Sequence, residues 1–206
     1  MVPDELETEG YWISGLPRQA VAAMRAPTSL RGAASDPLDP EPGKGRPMTS
    51  AERFELIDRY KQGYAEVTRA LAGIAPEELD WKPAKSEWSA REVVHHLADS
   101  EMIAAVRLRR MLTADDAQLW RYDPDELAVR FTYAERPLEA AMALFQGVRA
   151  YTAELLDRMT EADWAKAGMP TPSGEYSTAR WLQSYGPHAH EHAEQIRNNR
   201  SSFTRK

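Results

Sequence analysis

Residues 89–112 read SAREVVHHLADSEMIAAVRLRRML, and this stretch decides the fold class. Ser89 and Glu92 have the spacing of a capping box, in which two side chains satisfy backbone N–H groups at the start of a helix. Apolar residues then recur at helical spacing as far as Met111, which is typical of an amphipathic α-helix. The stretch therefore predicts one long helix that buries a single face.

The same signals occur on both sides of this stretch and predict three more long helices. They lie at residues 49–71, 137–159 and 177–199. The first begins with another capping box, the second with Pro137 and the third with a Ser cap. Shorter helical turns are expected near Pro76 and over residues 124–130. Residues 168–174 contain two prolines and are expected to form a loop, and no alternating strand pattern competes with the helices.

A faint internal repeat indicates how the helices are arranged. Residues 77–81 and 161–164 are short acidic turns that end in Trp. A loop follows each turn, and an aromatic residue with a Ser cap, at 88–89 and at 176–177, then begins the next helix. Each half thus reads as a helical hairpin, and two stacked hairpins form a four-helix bundle. The predicted fold is all-α, a four-helix bundle over residues 48–206.

Residues 1–47 differ in composition from the rest of the chain. They hold seven of the 14 prolines, and residues 35–47 alternate Pro, Gly and charged residues. Such a segment cannot sustain a helix or a central strand. We expect a largely disordered extension with a helical turn near Gln19–Arg25. The alternative is that Met48, directly before the first capping box, is the true start of the protein.

Composition excludes several classes of function. The formal net charge is −6, which argues against a partner that is bound through its phosphate backbone. The chain has no Cys, which excludes disulfides, Cys-ligated metal sites and a protein thiol as nucleophile. No apolar run is long enough to span a membrane, and the N-terminus does not resemble a secretory signal. We therefore expect a cytoplasmic protein that acts on a small molecule.

The five histidines form two clusters, and helical geometry separates them into two groups. At about 100° per residue, His96, His188 and His192 lie on or beside the apolar faces of their helices, whereas His95 and His190 face away. His188 and His192 are i, i+4 neighbours that can chelate one metal ion, and His96 can supply a third nitrogen. Three ligands leave coordination positions open, as in a catalytic site. The alternative is a set of hydrogen-bonded core histidines.

The stretch from Trp88 to Glu101, together with the pattern HxxxHxxQI at residues 188–196, resembles the DinB/YfiT-like superfamily. Its members are four-helix bundles that bind a divalent metal through three histidines. Residues 93–123 resemble most closely the YfiT-type branch, which is labelled as metal-dependent hydrolases and is similar to thiol S-transferases. The resemblance covers about residues 49–199. It implies metal ligation by His96, His188 and His192.

Two features depart from the family pattern. Glu101 stands where some YfiT-like members have His, and Pro187 lies directly before the paired ligands. Because proline costs a helix interior about 3 kcal/mol, Pro187 should either kink the last helix or begin a new helical segment.

Two charged residues break the apolar pattern and are candidate catalytic residues. Glu101 lies on the rim of the core face of its helix, and Arg149 lies within the core face of the third long helix. Because a buried charge needs a partner, we expect the two to pair, or Arg149 to face a substrate anion. The alternative for each is a side chain that extends to solvent.

Three functions remain open at this point. The first is an S-transferase, in which Zn²⁺ or Ni²⁺ binds a low-molecular-weight thiol cofactor and directs it at an electrophilic substrate. The second is a hydrolase in which the metal activates water, with Glu101 or Glu191 as candidate base. The third is a non-catalytic metal-binding protein of a stress response. The family resemblance also implies a homodimer.

Overall fold

Four long helices form the framework of the protein. The computed structural model describes residues 48–114, 116–171 and 174–203. The long helices are α1 (Ser50–Leu71), α3 (Ala90–Thr113), α5 (Glu139–Leu156) and α7 (Thr178–Ser202). Between them lie α2 (Pro76–Leu79), α4 (Pro124–Arg130), a 3₁₀ turn (Tyr133–Glu135) and α6 (Glu161–Trp164). The predicted extension over residues 1–47, with its turn at Gln19–Arg25, lies outside the described residues.

Both predicted capping boxes are confirmed. The Thr49 hydroxyl accepts from the Glu52 N–H at 3.2 Å, and the Glu52 carboxylate accepts from the Thr49 N–H at 2.8 Å. Ser89 and Glu92 make the equivalent pair of bonds at the start of α3. These reciprocal bonds satisfy N–H groups that have no partner within the helix, so both helices begin where the sequence predicts.

The predicted all-α four-helix bundle is confirmed. Its neighbouring helices differ from the predicted hairpins, in which α1 would pack against α3 and α5 against α7. α1 packs against α7 and α5, and α3 packs against the same two helices. The successive long helices α1 and α3 therefore occupy opposite corners of the bundle. The intervening segment, which includes α2, is long enough to allow this crossing. Sequence order alone does not determine which helices become neighbours.

The prediction of a loop at residues 168–174 is wrong in part, because a short β-hairpin lies there. Strand β1 (Ala167–Thr171) pairs antiparallel with β2 (Gly174–Ser177), with Ala167 opposite Ser177 and an irregularity between Gly168 and Thr171. Five residues are too few to display a period of two, and proline is tolerated on an edge strand. The hairpin leads directly into α7.

The core consists of two apolar clusters with a polar layer between them. On α3, residues 90–98 contribute to the first cluster and residues 104–111 to the second. Glu101 lies between these two runs and is fully buried. The bundle thus has an ionisable side chain at its centre. Among the described residues, no helix combines the length and apolar character needed to cross a membrane.

Candidate metal centre

The structure brings together the three histidines predicted as metal ligands. His96 lies on α3, and His188 and His192 lie one turn apart on α7. The Nε2 atom of His188 lies 3.4 Å from that of His96 and 3.2 Å from that of His192. One ring nitrogen from each residue lies within 4.8 Å of the others. The three residues are 1%, 7% and 8% exposed, so their nitrogens converge in the interior.

Helix α7 presents its two histidines on one face because it is continuous. It extends from Thr178 to Ser202 with Pro187 inside it, so no new helix begins at Pro187. Residues four apart on such a helix lie above one another, which aligns the rings of His188 and His192. The ring centroids are 4.6 Å apart and nearly perpendicular, so both Nε2 atoms reach the same space.

The other two histidines make separate contacts. His95 faces away from the point where the three candidate ligands meet, as predicted. Its ring does not face solvent, however, since His95 is only 2% exposed. Its Nε2 lies 3.2 Å from the Arg136 carbonyl, and its ring stacks on Tyr133 in the 3₁₀ turn. The helical wheel cannot detect a connecting segment that covers the outer face of α3. His190 lies away from the triad, with Nε2 at 2.9 Å from the Arg59 carbonyl.

A side-chain amide orients His192. Its Nδ1 atom lies 2.8 Å from the Gln195 carbonyl oxygen, which can only accept, so Nδ1 carries a proton. The lone pair of a neutral imidazole is then on Nε2, the atom that faces the other two histidines. Gln195 belongs to the sequence pattern at 188–196, but nothing in the sequence assigned it this contact.

An aromatic side chain covers His96. The Trp88 and His96 rings are 4.7 Å apart, and the Trp88 indole N–H donates to the Asp125 carboxylate at 3.0 Å. The start of α4 thereby holds Trp88 against the ring of His96. This packing excludes water from one side of the triad.

Burial keeps the imidazoles in the form that binds metals. It lowers the pKa of His96 well below its ordinary value, and the neighbouring His192 and His188 lower it further. Burial also lowers the pKa of His192, against smaller opposing effects of Gln195 and Glu101. These histidines are therefore neutral near pH 7, and a neutral imidazole has the lone pair that a metal ligand needs.

The structure pairs the two buried charges predicted from the sequence. Glu101 is 0% and Arg149 2% exposed, and the Arg149 guanidinium donates to Glu101 Oε1. The Tyr60 hydroxyl donates to Oε2 at 3.0 Å, and Arg149 Nε donates to the Tyr60 carbonyl at 3.1 Å. Burial raises the pKa of Glu101, while Arg149 and Tyr60 oppose that rise. Arg149 does not extend to solvent, and the paired interpretation is confirmed.

A glycine on α1 makes room for the guanidinium. A Cβ atom at Gly63 would lie 2.6 Å from Arg149 Nη2 and 2.7 Å from the Ala189 Cβ, closer than any ordinary contact. Sequence analysis missed both Gly63 and Tyr60. Tyr60 follows the apolar period of α1, so only the structure distinguishes its hydroxyl contact from ordinary packing.

The donor set suits a divalent metal ion. Among the described residues, no Asp or Glu oxygen joins the three histidine nitrogens. Imidazole is a good ligand for zinc and for nickel, and three protein ligands leave positions for water or substrate. The candidate base Glu191 is exposed and lines a groove of about 440 Å³ together with Gln195, on the Nδ1 side of His192.

Comparison with known proteins identifies the family. The sequence model of the DinB superfamily matches residues 59–196, which include the three histidines, the buried ion pair and Gln195. This protein belongs to the DinB superfamily.

Relatives within the DinB superfamily have names that point to a metal. A protein of Geobacillus thermodenitrificans, named "Putative metal-dependent hydrolase", is 31% identical over 128 residues, which are 62% of this chain and 72% of that protein. A Bacillus licheniformis protein with the same description is 30% identical over 158 residues, which are 75% of this chain and 90% of that protein.

A solved structure confirms the fold. YfiT from Bacillus subtilis, described as "a probable metal-dependent hydrolase with an unusual four-helix bundle topology", has a TM-score of 0.71 and 22% identity. The match covers 81% of this chain and 99% of YfiT. At this identity the likeness establishes the bundle architecture alone.

Proposed function

We propose that this member of the DinB superfamily is a metal-dependent hydrolase whose metal ion is bound by His96, His188 and His192. The observation that carries the proposal is the convergence of three buried imidazole nitrogens within 4.8 Å. The names of the Geobacillus thermodenitrificans and Bacillus licheniformis relatives support the reaction class. The substrate would be a small molecule with a hydrolysable ester or amide bond.

The side chains of this site have distinct tasks. A divalent cation such as Zn²⁺ or Ni²⁺ would supply Lewis-acid chemistry toward water and a substrate oxygen. Imidazole ligands carry no negative charge, so they would leave the ion a strong Lewis acid. Gln195 fixes the ring of His192, and Trp88 keeps solvent from His96. In the overall reaction, the hydroxyl of water goes to the acyl carbon and its hydrogen to the leaving group.

A catalytic role for Glu101 and Arg149 stays a prediction. The Glu101 carboxylate is occupied by Arg149 and Tyr60, so its availability as a base depends on breaking a buried ion pair. Exposed Glu191 is the freer carboxylate, but it lines the groove on the far side of the His192 ring.

A second candidate function is the transfer of a low-molecular-weight thiol to an electrophile. Two observations favour it: the chain has no Cys, and the buried carboxylate nearest His188 is already paired with Arg149. In this reaction the thiol sulfur forms a bond to an electrophilic carbon, the leaving group departs with its bonding electrons, and the thiol proton goes to solvent.

One experiment separates the two reactions. The full chain, loaded with Zn²⁺ or Ni²⁺, is assayed with ester, amide and alkylating substrates in the presence and absence of small thiols. Hydrolysis without thiol that is lost in His192→Ala and retained in His190→Ala supports the hydrolase. Thioether formation that strictly requires a thiol, with no hydrolysis, supports the transferase and overturns the first proposal. Metal binding without either reaction contradicts both.

A further inference from the structure

Each of the four long helices contributes one residue to a single buried contact network. Tyr60 comes from α1, Glu101 from α3, Arg149 from α5 and His188 from α7. Arg149 donates to Glu101 Oε1, Tyr60 donates to Oε2, and Oε1 lies 3.8 Å from His188 Nδ1. Glu101 is thus the point at which the other three helices meet.

Bundle stability alone is a poor explanation for this network. A buried ion pair loses the hydration of both charges, and well-packed apolar residues of similar volume often replace such a pair without loss of stability. Here the pair lies between two apolar clusters that could extend across the gap. Gly63 also leaves an opening that the guanidinium fills, so α1 is adapted to a charged side chain.

The position of the carboxylate relative to the His188 ring suggests its role. Glu101 faces Nδ1, whereas the opposite nitrogen, Nε2, faces His96 and His192. A separation of 3.8 Å exceeds a hydrogen bond but is within ion-pair range, so the charge favours the tautomer with its proton on Nδ1. That tautomer has its lone pair on Nε2, where the three histidines converge.

We propose that Tyr60, Glu101 and Arg149 are positioning residues for His188. The charge of Glu101 favours a proton on Nδ1, and Arg149 and Tyr60 hold the carboxylate in place. His188 would then depend on a charged network, whereas His192 depends on the neutral amide of Gln195. This inference rests on the proposed function, because it assumes that the three histidines bind a metal ion.

The test must separate positioning from folding. Single removal of Arg149 leaves a buried charge unpaired and can unfold the protein for that reason alone. The informative variant therefore replaces the whole network with apolar groups, as Tyr60→Phe, Glu101→Leu and Arg149→Met together. Asp80→Leu with Arg91→Met is the matched control, since it removes an exposed ion pair that also anchors α3.

The expected results concern metal affinity and the His188 ring. In the full chain, we expect the triple variant to unfold cooperatively but to bind Zn²⁺ about 10- to 100-fold more weakly than the wild type in a chelator competition, while the control binds normally. Nitrogen-15 NMR of the metal-free wild type should show His188 protonated at Nδ1, and the metal-free triple variant should lose this preference. Arg149→Lys, which keeps a cation beside Glu101, should retain most of the affinity.

The possible failures are distinguishable. A folded triple variant with wild-type Zn²⁺ affinity and an unchanged Nδ1 resonance overturns the positioning role and leaves the metal site intact. A wild-type protein that binds no Zn²⁺ or Ni²⁺ overturns the proposed function and, with it, this inference. If the triple variant does not fold, the wild-type His188 spectrum decides, because a proton on Nε2 in the metal-free protein contradicts the proposal.

Discussion

Arg149 and Glu101 form an ion pair at the centre of the bundle, with side chains that are 2% and 0% exposed. The pair lies beside the histidine triad, and Glu101 reaches within 3.8 Å of His188. The buried ion pair and the candidate metal centre are therefore adjacent. We expect a substitution in the ion pair to change metal affinity.

The first prediction tests the ligand assignment. We expect His96→Ala, His188→Ala and His192→Ala each to reduce bound metal sharply, because each removes one of three converging nitrogens. His190→Ala should retain the metal, since its ring contacts the Arg59 carbonyl instead. Elemental analysis of the purified variants gives the metal content per chain. Equal loss of metal in His190→Ala would disprove the assignment.

The second prediction concerns the cost of breaking the ion pair. Arg149→Met should lower the free energy of unfolding by about 3–5 kcal/mol, because it leaves the Glu101 carboxylate buried without its cation. Lys61→Met removes one partner of an exposed pair with Asp157, so it should cost at most about 1 kcal/mol. Urea denaturation of both variants measures the difference. Similar values for the two would mean that Glu101 is not charged in the folded protein.

The third prediction compares two glycines within long helices. Gly63→Ala should destabilise the protein by about 1–3 kcal/mol, because the new methyl group would overlap the Arg149 guanidinium. Gly147→Ala on α5 should stabilise it by about 0.5–1 kcal/mol, because no other described residue outside the surrounding turn of α5 places an atom within 4 Å of the added carbon. Thermal or urea unfolding shows whether each substitution raises or lowers the stability. A stabilising Gly63→Ala would show that α1 and Arg149 can separate at little cost.

The fourth prediction follows from the lowered pKa values of His96 and His192. The unfolded chain binds protons at a higher pH than the folded chain, so the metal-free protein should lose stability as the pH falls below about 6.5. Each histidine contributes a slope of up to about 1.4 kcal/mol per pH unit. Urea denaturation at several pH values measures the slope.

The control for the pH dependence removes the titrating groups. His96→Asn with His192→Asn should flatten the slope relative to the wild type. Because Glu101 is present in both proteins, the comparison isolates the contribution of the buried histidines. A steeper slope in the double variant would contradict the assignment of neutral rings.

Local signals in the sequence were sufficient for the starts of α1 and α3 and for the inner face of each long helix, whereas α5 (Glu139–Leu156) is shorter than predicted and α7 extends to Ser202. The capping residues Thr49 and Ser89 act on backbone groups within three positions, so their effect is readable without knowledge of the fold. The wheel likewise identified His96, His188 and His192, because the apolar period marks which side of a helix is buried.

Contacts between distant segments were not predictable in the same way. His95 is buried by the 3₁₀ turn, which lies about 40 positions further along the chain. The hydroxyl of Tyr60 crosses the bundle from α1 to the diagonally opposite α3, and no periodicity encodes a diagonal contact. The β-hairpin before α7 was missed because its strands are too short to show alternation.

The placement of two of the three candidate metal ligands on the last long helix has a consequence for protein synthesis. His96 and His188 are separated by 92 positions, and all four long helices meet around them. A growing chain on the ribosome contains only one of the three imidazoles until α7 emerges. It therefore cannot bind a metal ion through all three. Metal capture would then mark a chain whose translation and assembly are both finished, and nascent fragments would compete little for scarce ions.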